Sequence, residues 1–326
     1  MTADFSRRFR SLPGYPLAGI PEARRALEAR GVDVIDLGAG DADLDPPPAA
    51  VEALIRAAGD RRLDRYGFQL GLVALREAIA AFMRRRFGVE VDPMTEVLPL
   101  IGSKEGIAHL PLAVLERGGR ALVPDPGYQA YRGGVLLAEG EPVLVPLRPE
   151  HEFLMPFDAL PDDALEGLGL VYLNYPNNPT AATAPDAHYE AALALCRERG
   201  AVLVHDHAYS EIAFDGYRPR SVLEFEGARD VAVEFHSFSK TFNMTGWRLG
   251  WAVGNARLVG ALSKVKSFTD TGSYLGIQAA GVAALEAYDA WVPDNVARFQ
   301  ARRDAAVAAL RAAGFDARPP RATMYL

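Results

Sequence analysis

The feature that most constrains the fold is an alternation of short apolar runs with helical periodicity between residues 97 and 254. The apolar runs are predicted strands, at residues 97–101, 120–123, 143–147, 170–174, 201–206, 231–237 and 249–254. The helices predicted between some of these strands are residues 104–116, 128–138 and 187–199. Such alternation predicts an α/β fold in which helices cover both faces of a mostly parallel sheet, a three-layer sandwich. Because ligands bind at the carboxyl ends of strands in such sheets, the residues just after each predicted strand are the candidates for function.

The two ends of the chain differ in pattern from this central part. The first 45 residues are rich in loop-forming residues, and a run of three prolines follows at residues 46–48. After residue 254 the sequence predicts helices again, at residues 256–268 and in an alanine-rich stretch that begins near residue 273. Leucine and valine keep helical spacing through that stretch, which favours helix over disorder.

Charge and composition exclude several classes of partner. The net charge is −7 and the basic residues are scattered, which argues against a nucleic-acid or anionic-membrane surface. No apolar run approaches the roughly 20 residues of a membrane span, and no apolar stretch follows the arginines near the start, as a secretory signal would require. The single cysteine, Cys196, is expected to be a small buried side chain. The sequence therefore predicts a soluble, cytoplasmic protein with no nucleic-acid or membrane partner.

Lysine is rare in this chain, which makes the position of each one informative. Of the 35 lysines and arginines only four are lysines: Lys104, Lys240, Lys264 and Lys266. An arginine cannot lose its proton at working pH or form an imine, whereas a lysine amine can do both. Lys240 stands among hydroxyl residues in the segment SFSKTFNMTGWRLG, residues 237–250. A lysine in this context indicates covalent chemistry beside an anion.

This segment resembles the cofactor-lysine signature of class I aminotransferases, enzymes of fold type I that depend on pyridoxal 5′-phosphate (PLP). The resemblance implies that Lys240 forms the internal aldimine with the cofactor aldehyde. It also implies that Ser237 and Arg248, with Ser239 beside them, bind the cofactor phosphate. A phosphate dianion does need a permanently charged, forked donor together with hydroxyl or backbone donors. The sequence around the lysine is most similar to that of the diaminopimelate/alanine-type subgroup.

Further matches to this family follow two other predicted strands. In HDHAY, residues 205–209, the resemblance implies that Asp206 keeps the pyridine nitrogen protonated and that Tyr209 donates to the ring oxygen. In NYPNNPT, residues 174–180, it implies that Asn178 bonds the same oxygen and lies beside the substrate. His205 and His207 flank Asp206, but two histidines without a third ligand are a weak metal signal. No metal is expected.

Two segments near the start of the central region complete the predicted cofactor site. In IGSKEG, residues 101–106, a strand leads into a helix, a junction suited to an anion, and the resemblance places the phosphate at Ser103 and Lys104. In DPGYQAY, residues 125–131, Tyr128 matches the residue whose ring stacks on the cofactor. Tyr131 is predicted to pack in the core.

The remaining matches concern the partner subunit and the substrate. The resemblance implies a homodimer in which Tyr66, in YGFQLG, reaches the phosphate of the other subunit. It implies that the N–H group of Gly40 holds the substrate carboxylate, although the sequence after it, Asp-Ala-Asp, departs from the family's usual Glu-Pro-Asp. Tyr15 occupies the position of a substrate-contacting tyrosine in the diaminopimelate-type members.

The resemblance covers residues 10–326 and implies both a domain organisation and a reaction. Residues 46–270 would form a large PLP-binding domain, and residues 1–45 with 271–326 an N-terminal arm and part of a small α+β domain. The expected reaction is ping-pong transfer of an amino group between an amino acid and a 2-oxo acid through a Lys240 aldimine. Family members also have a carboxylate-binding arginine in a segment that would follow residue 326, and neither Arg318 nor Arg321 matches it. We therefore expect either that the small domain is incomplete at its C-terminal end or that the protein lacks this arginine.

Two other classes of function stay open at this point. A PLP-dependent C–S lyase or decarboxylase of the same fold would share every cofactor residue. A non-catalytic PLP-binding module would normally carry a DNA-binding domain, and no basic or helix-turn-helix segment precedes residue 31. A nicotinamide enzyme is disfavoured because no Gly-x-Gly-x-x-Gly opens a helix. The amino donor and acceptor are not predicted.

Overall fold

The centre of the protein is one mixed β-sheet. The computed structural model describes residues 4–14, 18–38, 40–68 and 70–326. Within these ranges seven strands form the sheet: β1 (Val97–Leu100), β2 (Arg120–Asp125), β3 (Glu141–Pro146), β4 (Leu168–Leu173), β5 (Val202–Asp206), β6 (Ala232–Ser237) and β7 (Gly250–Gly254). Their order across the sheet is β1-β7-β6-β5-β4-β2-β3.

Strands β2 to β6 run parallel, and β7 is antiparallel to both of its neighbours. The prediction of an α/β fold with a mostly parallel sheet is confirmed. Each strand lies within two residues of its predicted bounds. The parallel arrangement brings the carboxyl ends of β4, β5 and β6 to the same edge of the sheet, where the candidate residues lie.

Helices precede, connect and follow the strands. The described residues form these α-helices: α1 (Arg7–Ser11), α2 (Ile20–Glu28), α3 (Pro48–Ala58), α4 (Val73–Phe87), α5 (Ser103–His109), α6 (Pro111–Val114), α7 (Gln129–Leu137), α8 (Asp162–Leu165), α9 (Asp186–Arg199), α10 (Ala228–Val231), α11 (Phe238–Thr241), α12 (Ala256–Thr269), α13 (Leu275–Glu286) and α14 (Tyr288–Ala312). The one helix predicted at residues 104–116 is two, α5 and α6, because Pro111 has no N–H group to continue the hydrogen-bond ladder.

Alternate residues of each central strand point to opposite faces of the sheet. Leu122 and Leu203 belong to one apolar cluster, with side chains of α4, α9 and α13. Ala121 and Val204 belong to a second cluster, with side chains of α5, α7 and α12. The sheet is therefore covered on both faces, which is the predicted three-layer sandwich. Cys196 is buried as predicted, and burial raises the pKa of its thiol to about 12.

Parts of both ends of the chain lie outside this sandwich, although α13 packs within its first apolar cluster. Helices α1 and α2 bury none of their residues. A small third cluster joins Phe214 to Phe299 of α14, and Leu44 and Met324 pack against it. This cluster brings the start, the loop after β5 and the last residues together. Of the helices in the described ranges, none combines the length and apolar character that crossing a membrane requires.

Candidate active site

The candidate site lies where β5 and β6 end. Asp206 is the last residue of β5 and pairs in register with Phe235 of β6. Ser237 is the last residue of β6, and its hydroxyl accepts a hydrogen bond of 3.1 Å from the Ser239 N–H group, which starts the short helix α11. Lys240 lies in this helix. The turn from strand to helix thus presents the lysine at the sheet edge that holds Asp206.

The amine of Lys240 is largely enclosed. It donates a hydrogen bond to the carbonyl oxygen of Gly40, which belongs to the N-terminal region. Burial lowers the pKa of Lys240, Arg248 lowers it further, and Asp41 opposes both. Since only the unprotonated amine is a nucleophile, this environment favours imine formation.

Asp206 is buried, and only one of its two carboxylate oxygens has a hydrogen-bond partner among the described residues. Its Oδ2 atom accepts a hydrogen bond of 2.8 Å from the Tyr131 hydroxyl. Its Oδ1 atom is also buried and has no hydrogen-bond partner among the described residues. Burial raises the pKa of Asp206 to about 6, while the Tyr131 bond and His205 act in the opposite direction. A buried carboxylate oxygen without a donor is costly, so Oδ1 is suited to a ligand that brings an N–H group.

Tyr131 was predicted to pack in the core, and this prediction is incomplete. Its ring is fully buried and stacks on Tyr172 with centroids 4.7 Å apart, but its hydroxyl also orients Asp206. The sequence signal was present, because Tyr131 follows Tyr128 by three residues at the start of α7, one helical turn away. The sequence alone does not show the contact of Tyr131 with Asp206, which lies 75 positions later in the chain.

Asn174, which was not predicted as a site residue, links Asp206 to the segment that contains Asn178. The amide of Asn174 donates to the carbonyl oxygen of Asp206 at 2.7 Å, and its side-chain oxygen accepts from the N–H group of Asn178 at 2.7 Å. Asn178 is half-buried and follows the end of β4. Asn174 therefore links the backbone of Asn178 to that of Asp206.

Tyr209 meets a second residue that sequence reasoning missed. Its hydroxyl hydrogen-bonds the Tyr325 hydroxyl at 2.6 Å, and the two rings meet edge to face at 5.5 Å. Burial raises the pKa of Tyr209, and Tyr325 adds to this effect. A side chain on Gly40 would overlap the Tyr325 hydroxyl, so glycine is required there for close approach. No local pattern marks Tyr325, since only the fold brings residue 325 to this site.

The predicted phosphate residues converge around the turn from β1 to α5. Gly102 has φ of +72°, and the guanidinium of Arg248 packs against its backbone, where a Cβ atom would overlap it. A Cβ on Gly250 would lie 2.7 Å from the Ser103 nitrogen, so this position too needs glycine. Arg248 is exposed and donates to the Thr245 carbonyl at 2.9 Å. A fixed guanidinium beside the first residues of α5 is an arrangement that suits a phosphate.

Tyr128 and Lys104 adjoin this cluster. The Lys104 amine lies 5.7 Å from the centre of the Tyr128 ring, within cation–π range. The Tyr128 ring meets Tyr131 edge to face at 5.8 Å, which places it beside the residue that orients Asp206. Tyr128 therefore lies between Lys104 and the Tyr131–Asp206 pair.

Within the single chain, Tyr66 is not brought to Lys240. Tyr66 is 71% exposed and lies in a separate surface cavity of about 510 Å³, which Gly272 and Tyr274 also line. The tyrosine predicted to contact the substrate, Tyr15, lies outside the described residues.

Opposite Asp206, three histidines surround one buried carboxylate. Glu234 accepts from His236 at 2.6 Å, from the Ser221 hydroxyl at 2.9 Å and from the Val222 N–H group at 2.8 Å, and lies 2.8 Å from His205. His205, His207 and Glu234 are close enough to consider a metal. However, the two imidazole rings are stacked 4.4 Å apart and only 27° from parallel. Their lone pairs therefore run side by side, whereas shared metal ligands must converge on one point.

The chemistry of the site fits PLP. The Lys240 amine suits its aldehyde, the partnerless oxygen of Asp206 suits its pyridine nitrogen, and the cluster around Ser103 and Arg248 suits its phosphate. These three groups are supplied by the ends of adjacent elements of one sheet edge, so one elongated ligand could contact all of them.

Comparison with known proteins agrees with this interpretation. The family profile for aminotransferase class I and II matches residues 32–326. An LL-diaminopimelate aminotransferase of Syntrophobacter fumaroxidans is 44% identical over 98% of this chain and 83% of its own. One from Desulforudis audaxviator is 46% identical over 98% of this chain and 82% of its own.

Solved structures give the same result. BacF of Bacillus subtilis superimposes with a TM-score of 0.94 at 36% identity, covering 99% of this chain and 82% of its own. A probable N-succinyldiaminopimelate aminotransferase of Thermus thermophilus superimposes with a TM-score of 0.87 at 36% identity, covering 93% of this chain and 82% of its own.

Proposed function

The chain belongs to the class I and II aminotransferases and is a PLP-dependent transaminase; from this premise we propose that Lys240 carries the cofactor and that Asp206 holds its ring nitrogen. The observation that carries this assignment is the buried Oδ1 atom of Asp206, which has no partner among the described residues. Bound PLP supplies an electron sink for the bonds of the substrate α-carbon.

Each residue then has a defined task. Asp206, oriented by Tyr131, keeps a proton on the ring nitrogen through its free oxygen. The Lys240 amine would hold the cofactor and, when it is free, would accept the proton from the substrate α-carbon and give it back as the base and acid of the site. Its lowered pKa increases the share of unprotonated amine, the form that can act as a base. The Gly40 carbonyl, which accepts from the Lys240 amine, holds this amine in position between the two transfers.

The remaining predicted residues bind the cofactor or the substrate. We assign Tyr209 and Asn178 to the ring oxygen of PLP and Tyr128 to its ring face. The phosphate-binding residues are Ser103, Lys104, Ser237, Ser239 and Arg248. Gly40, Asn178 and Tyr15 are assigned to the substrate.

We propose LL-diaminopimelate as the amino donor and a 2-oxo acid as the acceptor. The support is the consistent name of the relatives, which are 42–46% identical over nearly the whole chain. The test is a donor panel of LL-diaminopimelate, meso-diaminopimelate, N-succinyl-diaminopimelate, aspartate and alanine with one 2-oxo acid. We expect kcat/KM to be highest for LL-diaminopimelate, and a higher value for any other donor would refute this substrate.

We further propose that the enzyme is a cytoplasmic homodimer with Tyr66 at the subunit interface. The support is the exposure of Tyr66 together with Phe68 and Leu70, an apolar surface that a second copy would cover. The division into a large domain at residues 46–270 and a small domain from both ends is part of the same proposal. It is supported by the third apolar cluster, which joins Leu44, Phe299 and Met324 outside the sandwich.

A further inference from the structure

A second lysine, Lys266, is buried without any role in the proposed chemistry. It lies in α12 with no exposed surface. Its amine lies 2.8 Å from a carboxylate oxygen of Glu105 and 2.6 Å from one of Asp270. Taking an ammonium out of water costs several kcal/mol, which close carboxylates only partly offset. A solvent-exposed position would have avoided this cost, so the location of Lys266 calls for a function.

The contacts of Glu105 indicate that function. The same oxygen that binds Lys266 accepts a hydrogen bond of 2.7 Å from the Ile101 N–H group. Ile101 ends the run from β1 and is followed directly by Gly102 and Ser103. Glu105 therefore fixes the turn whose other side is packed against Arg248. The carboxylate thus occupies one N–H group of this turn, that of Ile101.

The negative charge of Glu105 disfavours a phosphate nearby, and Lys266 reduces this repulsion. Burial alone would raise the pKa of Glu105, but His109 and Lys266 hold it below its usual value, so the group is an anion. An anion within one helical turn of Ser103 would repel a phosphate dianion in this low-dielectric region. The ammonium of Lys266, which it shares between Glu105 and Asp270, offsets part of the Glu105 charge without competing for the phosphate, because it approaches from α12.

The other partner of Lys266 reaches a different segment. Asp270 accepts from Lys266 and, with the same oxygen, from the Gly272 N–H group at 2.6 Å. Gly272 lines the cavity that contains Tyr66. One buried amine thus fixes both the turn before Ser103 and the loop facing Tyr66.

We propose that Glu105 and Lys266 are positioning residues for the cofactor phosphate, acting through the 101–103 turn. This inference rests on the proposed function of that turn. Neither side chain contacts the phosphate: Glu105 fixes the Ile101 N–H group and with it the turn, and Lys266 offsets part of the Glu105 charge.

The test compares PLP with pyridoxal, which has the same ring and aldehyde but no phosphate. Equilibrium dialysis of the full chain gives both dissociation constants for the parent, Lys266→Met, Glu105→Gln and the double variant. We expect Lys266→Met to weaken PLP binding by at least about tenfold, or about 1.4 kcal/mol, and to leave pyridoxal binding unchanged. Because the double variant removes the unpaired anion as well, it should bind PLP more tightly than Lys266→Met.

Lys264→Met is the matched control, since Lys264 is exposed on the same helix two residues earlier. It should leave both dissociation constants unchanged. Equal losses for PLP and pyridoxal, or no loss in either variant, would overturn the inference. If Lys266→Met does not fold, the isosteric Glu105→Gln variant decides by the same pair of constants. A parent chain that binds neither compound would instead refute the proposed function itself.

Discussion

At the scale of single residues, the site is explained by polar groups that are enclosed without a full set of partners. The Oδ1 atom of Asp206 has no donor in the described part of the chain, while Tyr131 satisfies Oδ2. Lys240 is half-buried, and the charges that shift its pKa are those of one carboxylate, Asp41, and one cation, Arg248. Without a ligand both groups are destabilised in their charged forms, and a ligand that pairs with them removes that cost.

The Asp206→Asn variant tests the first of these groups. We expect turnover to fall by about 100-fold or more, because the amide carries no charge to hold a proton on the ring nitrogen. Cofactor binding should remain, since the other contacts are intact. Steady-state kinetics and PLP dissociation constants measured in parallel give both answers. Unchanged kcat would make Asp206 an ordinary structural carboxylate.

The stability of the cofactor-free protein should depend on pH through the same residue. The pKa of Asp206 is raised from 3.8 to about 6, so folding favours its protonated form. The stabilising contribution is therefore present below about pH 4 and is lost as pH rises through about 6, with a size of about 3 kcal/mol. Asp206→Asn should remove this part of the pH dependence. Identical melting profiles of parent and variant between pH 4 and 7 would contradict the raised pKa of Asp206.

At the scale of elements, the site depends on turns that follow strands. The alternation of apolar and helical segments predicted the strands well, because a strand buried on both faces leaves a continuous apolar run. The site residues at the ends of β1, β5 and β6 were predicted from the family resemblance, and their place at the carboxyl ends of strands agrees with it. Asn174 and Tyr131 were not, since their roles come from contacts between elements that are distant in sequence.

Gly102→Ala tests the turn between β1 and α5. Gly102 has φ of +72°, so alanine there costs about 1–2 kcal/mol, and its methyl group displaces the Arg248 guanidinium. We expect reduced stability and weaker retention of PLP in dialysis.

Gly118→Ala is the control for this turn, because Gly118 has φ of +80° with open space around it and lies outside the site. It should lose similar stability but retain PLP like the parent. Equal PLP retention in the two variants would show that the approach of Arg248 to Gly102 has no part in phosphate binding.

At the scale of the whole molecule, the ends of the chain were the hardest to predict. The pattern around Gly40 placed it near the substrate, but nothing local marked Tyr325, which packs on Gly40 and Tyr209 from the other end of the chain. Tyr66 presents the opposite case. Its predicted role requires a second subunit, and in the single chain it is exposed and apart from Lys240.

Complementation between variants tests that role. If Tyr66 acts across the interface, a mixture of Lys240→Ala and Tyr66→Phe chains should regain activity, because some mixed dimers have one intact site. A mixture of Lys240→Ala and Asp206→Asn should not, since both residues serve the site of their own subunit. Recovery in both mixtures or in neither, or an active monomer in sedimentation, would refute a site shared through Tyr66.

The central claim is that Lys240 binds the cofactor covalently, and chemical trapping tests it most directly. Borohydride reduction of the PLP-loaded enzyme, followed by peptide mapping, should find the pyridoxyl group on the peptide that contains Lys240. The chain has only three other lysines as alternatives, Lys104, Lys264 and Lys266. A pyridoxyl group on one of these, or no reducible adduct, would contradict the account.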